Sequence, residues 1–157
     1  MSLFTLGYEG VSVDLFINRL KQAGVKMVVD VRELPLSRKR GFSKNAFASH
    51  LAAAGISYAH VPQLGCPKLI RNQYKIDGNW GKYKKAFLKH LERQSEILVE
   101  LARVARKTPS CLVCFEADFN YCHRSLVAST ALRRGAPSVT HLSIKTESSD
   151  VPLRVAA

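Results

Sequence analysis

The run Lys26-Met-Val-Val-Asp-Val31 constrains the fold more than any other stretch of the chain. Its apolar residues follow one another without the alternation of a half-exposed strand, the pattern of a strand covered on both faces. Before it stand a short strand, Leu3-Phe-Thr-Leu6, the turn Gly7-Tyr-Glu-Gly10 and a helix. Ser12 is that helix's N-cap, Val13, Phe16, Ile17 and Leu20 make its apolar face, and Gly24 stops it. Strand, helix and strand in so few residues imply a right-handed parallel crossover.

The alternation continues along the chain. Ser43 caps a second helix whose apolar face is Ala46, Phe47, Leu51 and Ala54, and residues 56–61 form a third strand with Tyr58 and His60 on one face. Residues 62–80 show no clear period, and aperiodic segments this long are usually functional or mobile. Phe87, Leu91, Leu98, Leu101 and Ala105 predict one long helix over residues 83–106. A strand from Cys111, a polar loop at residues 118–124 and a helix ending at Gly135 follow, then a last strand at residues 138–142. The expected architecture is one α/β domain, residues 1–142, with a mostly parallel sheet of about five strands and helices on both faces. Residues 143–157 are polar and predict a loose C-terminal tail.

With 157 residues, 46% apolar and 23% charged, the composition is that of a globular domain. The start lacks a basic flank and a long apolar run, and no segment approaches the length of a membrane span. A cytoplasmic protein without a membrane partner is expected, and its four cysteines are therefore expected as free thiols. Cys111 and Cys114, three apart on a strand, face opposite sides of it. The series Cys111, Cys114, Cys122, His123 thus reads as core packing plus a loop thiol, and neither a metal nor a cofactor is expected. The formal charge of +12 fits a polyanionic partner, a nucleotide or nucleic acid, and equally a surface that is basic for solubility; charge alone does not decide between them.

Ligands of parallel α/β sheets bind beyond the carboxyl ends of the strands. Three polar loops leave such ends here: Gly7-Tyr8-Glu9-Gly10, residues 32–38, and Asp118 to Arg124. Cys122-His123-Arg124 falls at a helix N-terminus, which favours anions and thiolates. Cys122 is a nucleophile on that basis, or a small residue suiting a tight turn. A Cys-five-residues-Arg cradle is excluded, because position 128 is Ala128. His123, adjacent on a helix, is expected to point away from Cys122. Arg32, Arg38 and Arg124, with the N–H groups at His123, form a candidate anion clamp. Glu9 and Glu116 are the candidate acid or base, and Tyr8, Asp30, Ser37 and Tyr58 complete the expected pocket. Asp30 pairs with Arg32 or Arg124 as scaffolding in the alternative reading. Lys39-Arg40, with Lys68, Arg71, Lys75, Lys82, Lys84 and Lys85, interleaved with Tyr74, Trp80 and Tyr83, suggest a single-strand binding surface, or a solvated helix start with aromatics packed back on the domain.

Taken together, Thr5-Leu-Gly-Tyr-Glu-Gly, Asp30-Val-Arg, Pro35 with Ser37-Arg38, Gly55-Ile-Ser-Tyr-Ala-His, Leu64-Gly65, Cys114-Phe-Glu and Cys122-His-Arg resemble the bacterial domain-of-unknown-function family 488. The resemblance spans roughly residues 3 to 142 and implies the α/β domain and a shared polar pocket. Cys66-Pro67, where a second small residue is expected after Leu64-Gly65, departs from it. Three functions remain in view: an enzyme acting on a nucleotide or nucleic acid, a non-catalytic nucleic-acid-binding module, and a thiol-based redox or stress protein. The first requires Glu9, Arg32, Arg38, Glu116 and Arg124 to converge, with Arg32 and Arg124 sharing one anion.

Overall fold

A computed structural model describes residues 2–144 and 150–153. Six strands form one sheet: β1 (Ser2–Gly7), β2 (Met27–Asp30), β3 (Ser57–His60), β4 (Ser110–Cys114), β5 (Ser138–His141) and β6 (Val151–Leu153). Their order is β3-β2-β4-β1-β5-β6; the first five are parallel, and β6 runs antiparallel to β5. The helices are α1 (Val13–Gln22), α2 (Lys44–Ala53), α3 (Lys68–Asp77), α4 (Trp80–Glu92), α5 (Ser95–Lys107) and α6 (His123–Arg133).

The sheet separates two cores. On one face Phe16, Ile17 and Leu20 of α1 and Phe47 and Leu51 of α2 pack on Leu6, Val28, Cys111 and Val113. On the other, α4, α5 and α6 bring Phe87, Leu98 and Val127 onto Leu3, Val29, Leu112 and Cys114. Successive residues of β4 thus alternate between cores, and Cys111 and Cys114 face opposite ways as their spacing requires. β1 and β4 are neighbours. The connection from β1 runs through α1 on one face, and that from β4 through α6 on the other. Their carboxyl ends therefore flank a crevice at a topological switch point. Gly7 closes its base: a Cβ there would stand 1.8 Å from the Glu116 carbonyl oxygen.

Several boundaries differ from those expected. Residues 83–106 are two helices, α4 and α5, separated at Arg93 and Gln94. No glycine or proline marks the break. A straight helix of that length would run about 36 Å, beyond strands of four to six residues, and the bend keeps both apolar stripes on the core. Residues 62–80 are mostly ordered as a short 3-10 turn, Pro62–Leu64, and helix α3. No residue of α3 is fully buried, though Ile70 and Tyr74 pack against the core; it starts after Pro67 with no side-chain cap, and Gly78, at φ 60°, ends it. Ser12 caps α1 as expected, its hydroxyl accepting from the Leu15 N–H at 3.3 Å. Ser43 sits at the α2 N-cap but is engaged with Ser37: it accepts from the Ser37 N–H and donates to the Ser37 carbonyl, each at 3.1 Å.

Beyond residue 142 the chain is more than a tail. Val151–Leu153 add the sixth strand at the sheet edge, where Pro152 is tolerated. Buried Arg19 donates to the Ser143 carbonyl and pairs with Asp150. Residues 145–149 and 154–157 of the expected tail lie outside the described residues. Among those described, no helix is long and apolar enough to cross a membrane.

Candidate functional site

The crevice opens into a cleft of 680 Å³ at the carboxyl edge of the sheet. Tyr8, from the β1 loop, and Arg32, Ser37 and Arg38, from the β2 loop, line it with Glu116, Cys122 and His123. Cys114, at the end of β4, contributes its floor. Arg71, Tyr74 and Lys75 on α3 and Tyr83 on α4 supply the wall opposite. Seven of the eleven expected site residues therefore line this one cleft: Tyr8, Arg32, Ser37, Arg38, Glu116, Cys122 and His123. The other four do not. Glu9 lines a neighbouring cleft and accepts from the Ala117 N–H at 3.0 Å. Asp30, Tyr58 and Arg124 lie behind the lining.

Asp30 and Arg32 form a closed network below the β2 loop. The Arg32 Nε and Nη2 donate to the two Asp30 oxygens at 2.8 and 2.7 Å, and Nη1 donates to the Phe42 carbonyl and the Tyr8 hydroxyl at 2.6 and 3.1 Å. The Tyr58 hydroxyl donates to Asp30 at 2.6 Å. Burial by itself lowers the Arg32 pKa, but the Asp30 carboxylate outweighs it and the net direction is up. Tyr8 stacks on Phe42 at 4.3 Å, so its ring is part of the core and only its edge meets the cleft. This is the scaffolding alternative for Asp30, and four of the five Arg32 N–H donors are engaged within the protein.

Arg124 is fully buried on the opposite face of the sheet, with no carboxylate bonded to it. Its Nε donates to Thr5 Oγ1 at 3.2 Å, Nη1 to the Glu116 carbonyl and to Cys114 Sγ, the latter at 3.4 Å, and Nη2 to the Ala117 carbonyl at 3.2 Å. Burial lowers its pKa to about 10. The Thr5 hydroxyl and His141 Nδ1 share a hydrogen bond at 2.6 Å, and burial, with the Arg124 charge, holds His141 down at about 4. The shared anion clamp of Arg32 and Arg124 is therefore not formed: the two guanidiniums are separated by the sheet and bonded within the protein.

Arg38 differs from both. It is exposed at the mouth of the cleft and has no ion pair among the described residues, so it remains available to an anion. Arg71 stands across from it, half-committed to Glu33 at 2.7 Å. Glu116 lies at the rim; partial burial and the negative charge of Glu9 raise its carboxyl pKa above the ordinary carboxylate value.

The sulfur chemistry is the main departure from expectation. Cys66 and Cys111 are free thiols, while the Sγ atoms of Cys114 and Cys122 meet. Their Cα atoms are 7.9 Å apart, wider than the roughly 4.4–6.8 Å a settled disulfide spans. His123 does not point away. Cys122 is the N-cap of α6, with φ −130° and ψ 139°, so helical geometry does not apply between them, and Nδ1 lies 3.9 Å from Cys122 Sγ. His123 Nε2 bonds the Val31 carbonyl at 2.6 Å and must be the protonated nitrogen there, which leaves a lone pair on Nδ1. Burial pushes this histidine down to about 4. Cys114, Cys122 and His123 thus present three donor atoms within 4.8 Å of one another. Sequence spacing correctly separated Cys111 from this set but dismissed the rest with it.

The cleft wall on α3 and α4 corresponds to the basic and aromatic stretch singled out from sequence. Its aromatics pack back on the domain: Trp80 stacks on Tyr83 at 4.7 Å and meets Tyr121 edge-on at 5.8 Å. Arg71, Tyr74 and Lys75 nevertheless belong to the cleft, a connection that spacing along the chain does not show.

Residues 12–131 match the family described as domain of unknown function DUF488, and the chain belongs to that family. No curated protein and no solved structure matches it.

Proposed function

We propose that this DUF488 protein is an enzyme acting on a nucleotide or a nucleic-acid end bound in the 680 Å³ cleft, with the anion held at Arg38 in place of the Arg32–Arg124 clamp, which is not formed. One observation carries the proposal: Glu116, with its raised pKa, shares the cleft with two sulfurs, unpaired Arg38 and an aromatic wall. Phosphate is held by Arg38, with Arg71 and Lys75 opposite, and the planar base lies against Tyr74 and Phe115. Glu116 moves the proton and the thiol floor meets the reacting atom. Buried Arg32 and Arg124 hold the loops that carry these groups.

Trp80, the single tryptophan, is the natural reporter because it touches Tyr83 and Tyr121, which both line the cleft. Nucleoside mono- and diphosphates and short single strands should change its fluorescence, with affinity falling as salt rises. Arg38→Ala should weaken binding. Glu116→Gln should leave binding intact and abolish conversion. Absence of a fluorescence change with every nucleotide in low salt would sink the proposal. Binding without conversion would instead favour the non-catalytic module, the reading that the net charge of +12 supports.

A further inference from the structure

We propose that Cys114, Cys122 and His123 hold one divalent ion of the zinc class on the floor of the cleft, with a fourth coordination position open to it. The inference stands apart from the nucleotide reading, since metal uptake is measured without a substrate.

The three donor atoms lie within 4.8 Å of one another. Ligands of a tetrahedral zinc ion, with bonds of about 2.0–2.3 Å, stand roughly 3.5–3.8 Å apart, so in the reduced chain the two sulfurs, which are in disulfide contact here, must part by side-chain rotation to complete the site. The Cys122 Sγ to His123 Nδ1 separation, 3.9 Å, is already close to that edge. Two sulfurs and one imidazole are a soft set that selects zinc over magnesium or calcium. The Cα separation of 7.9 Å is too wide for a settled disulfide and suits two thiolates converging on an ion.

The surroundings are those of a ligand set that is oriented in advance. His123 Nε2 is held by the Val31 carbonyl at 2.6 Å, which fixes the tautomer and turns the Nδ1 lone pair toward the sulfurs. Arg124 Nη1 donates to Cys114 Sγ at 3.4 Å, a contact that suits an anionic sulfur. Cys114 ends a fully buried strand and Cys122 caps a helix packed on it, so the frame is rigid. All three residues also line the cleft. Three protein ligands with an open position are the arrangement of catalytic zinc rather than of closed structural sites.

The test uses the intact, reduced chain under anaerobic conditions, titrated with cobalt and then with zinc. One cobalt per chain should give thiolate-to-metal charge transfer and the intense visible bands of a tetrahedral site, both removed by zinc. Cys114→Ser and Cys122→Ser should each weaken zinc by more than about 100-fold, beyond the 10–100-fold usual for an outer-shell partner. Cys66→Ser should bind as the parent does. Should a variant fail to fold, the parent still decides the matter: zinc should protect Cys114 and Cys122, but not Cys66, from maleimide. A reduced chain without tetrahedral cobalt bands, bands that survive Cys122→Ser, or no protection by zinc would overturn the proposal. Formation of a reversible disulfide without metal uptake would assign the pair to redox chemistry instead.

Discussion

Arg32 and Arg124 are both buried, both follow a strand of the same sheet, and both donate every bond the protein lets them make, yet they are in opposite electrostatic states. Arg32 faces Asp30 across two short bonds, and its charge is neutralised in place. Arg124 bonds a hydroxyl, two carbonyls and a sulfur, none of which is a carboxylate. Burial raises the energy of both cations; only Arg32 has the anion that reverses the direction of its pKa. A closed pair is scaffolding, because most of its donors are bonded to the protein. Arg124 has only the more distant Glu116 and Asp118 carboxylates to offset it, so its charge acts on the cleft floor beside Cys114. The sulfurs of the proposed site thus stand beside the arginine that has no bonded carboxylate.

The largest effect should come from breaking the balanced side. Asp30→Ala leaves Arg32 buried without its partner and should cost about 3–5 kcal/mol in chemical denaturation. A loss under about 1 kcal/mol would mean that water reaches Arg32 and that the two arginines are less different than they look. Replacing both, Asp30→Leu with Arg32→Met, should recover part of the loss.

Acid should act next, and on the Arg124 side. His141 has an ordinary pKa of 6.5 and is held at about 4 by burial and the nearby guanidinium. The unfolded chain therefore binds the proton first. The stability from neutral His141 is complete above pH 6.5, falls as pH drops through the interval, and is gone below about 4. The drop is on the order of 3 kcal/mol. Denaturation midpoints measured from pH 7 to pH 4 should follow it, and His141→Gln should flatten that slope; an equal slope in the variant would remove His141 from the account.

Arg124→Met should destabilise less than Asp30→Ala, about 1–3 kcal/mol, because it removes the buried charge together with its bonds and strands no opposite charge. It should also slow alkylation of Cys114 at neutral pH, read by mass spectrometry. Unchanged labelling would show that Arg124 only props the Glu116 and Ala117 carbonyls. Smallest in stability is Arg38→Ala, within about 0.5 kcal/mol because the side chain is exposed, yet it should be the arginine substitution that weakens phosphate binding most directly. If Arg38→Ala binds phosphate as the parent does, the cleft mouth is not the anion site.

Local chemistry made much of this molecule readable. The apolar run at residues 26–31, the helix stops at Gly24, Gly55 and Gly135, and the polar loops after strands are short-range signals, and they suffice for a parallel α/β sheet with a site at its carboxyl edge. Where a helix starts without a polar cap, as α3 does after Pro67, or bends without a breaker, as between α4 and α5, the boundary signal is absent and the element differs from the one expected. Val151–Leu153 were missed for a related reason: a three-residue edge strand exists only because β5 offers its free side.

Hydrophobic period and turn residues act over a few positions, so the order of amino acids is enough to say which residue types stand at the ends of β1, β2 and β4. How those residues are paired depends on the folding of the whole chain. Whether a guanidinium is spent on a carboxylate or left uncompensated depends on which face of the sheet it enters, and that follows from the crossover of the whole chain. The same holds for sulfur: Cys114 and Cys122 are eight residues apart and their Sγ atoms meet, while Cys111, nearer in sequence to Cys114, is on the other side of the sheet. Pairing is a property of three-dimensional neighbours, and charge and metal affinity are set by neighbours.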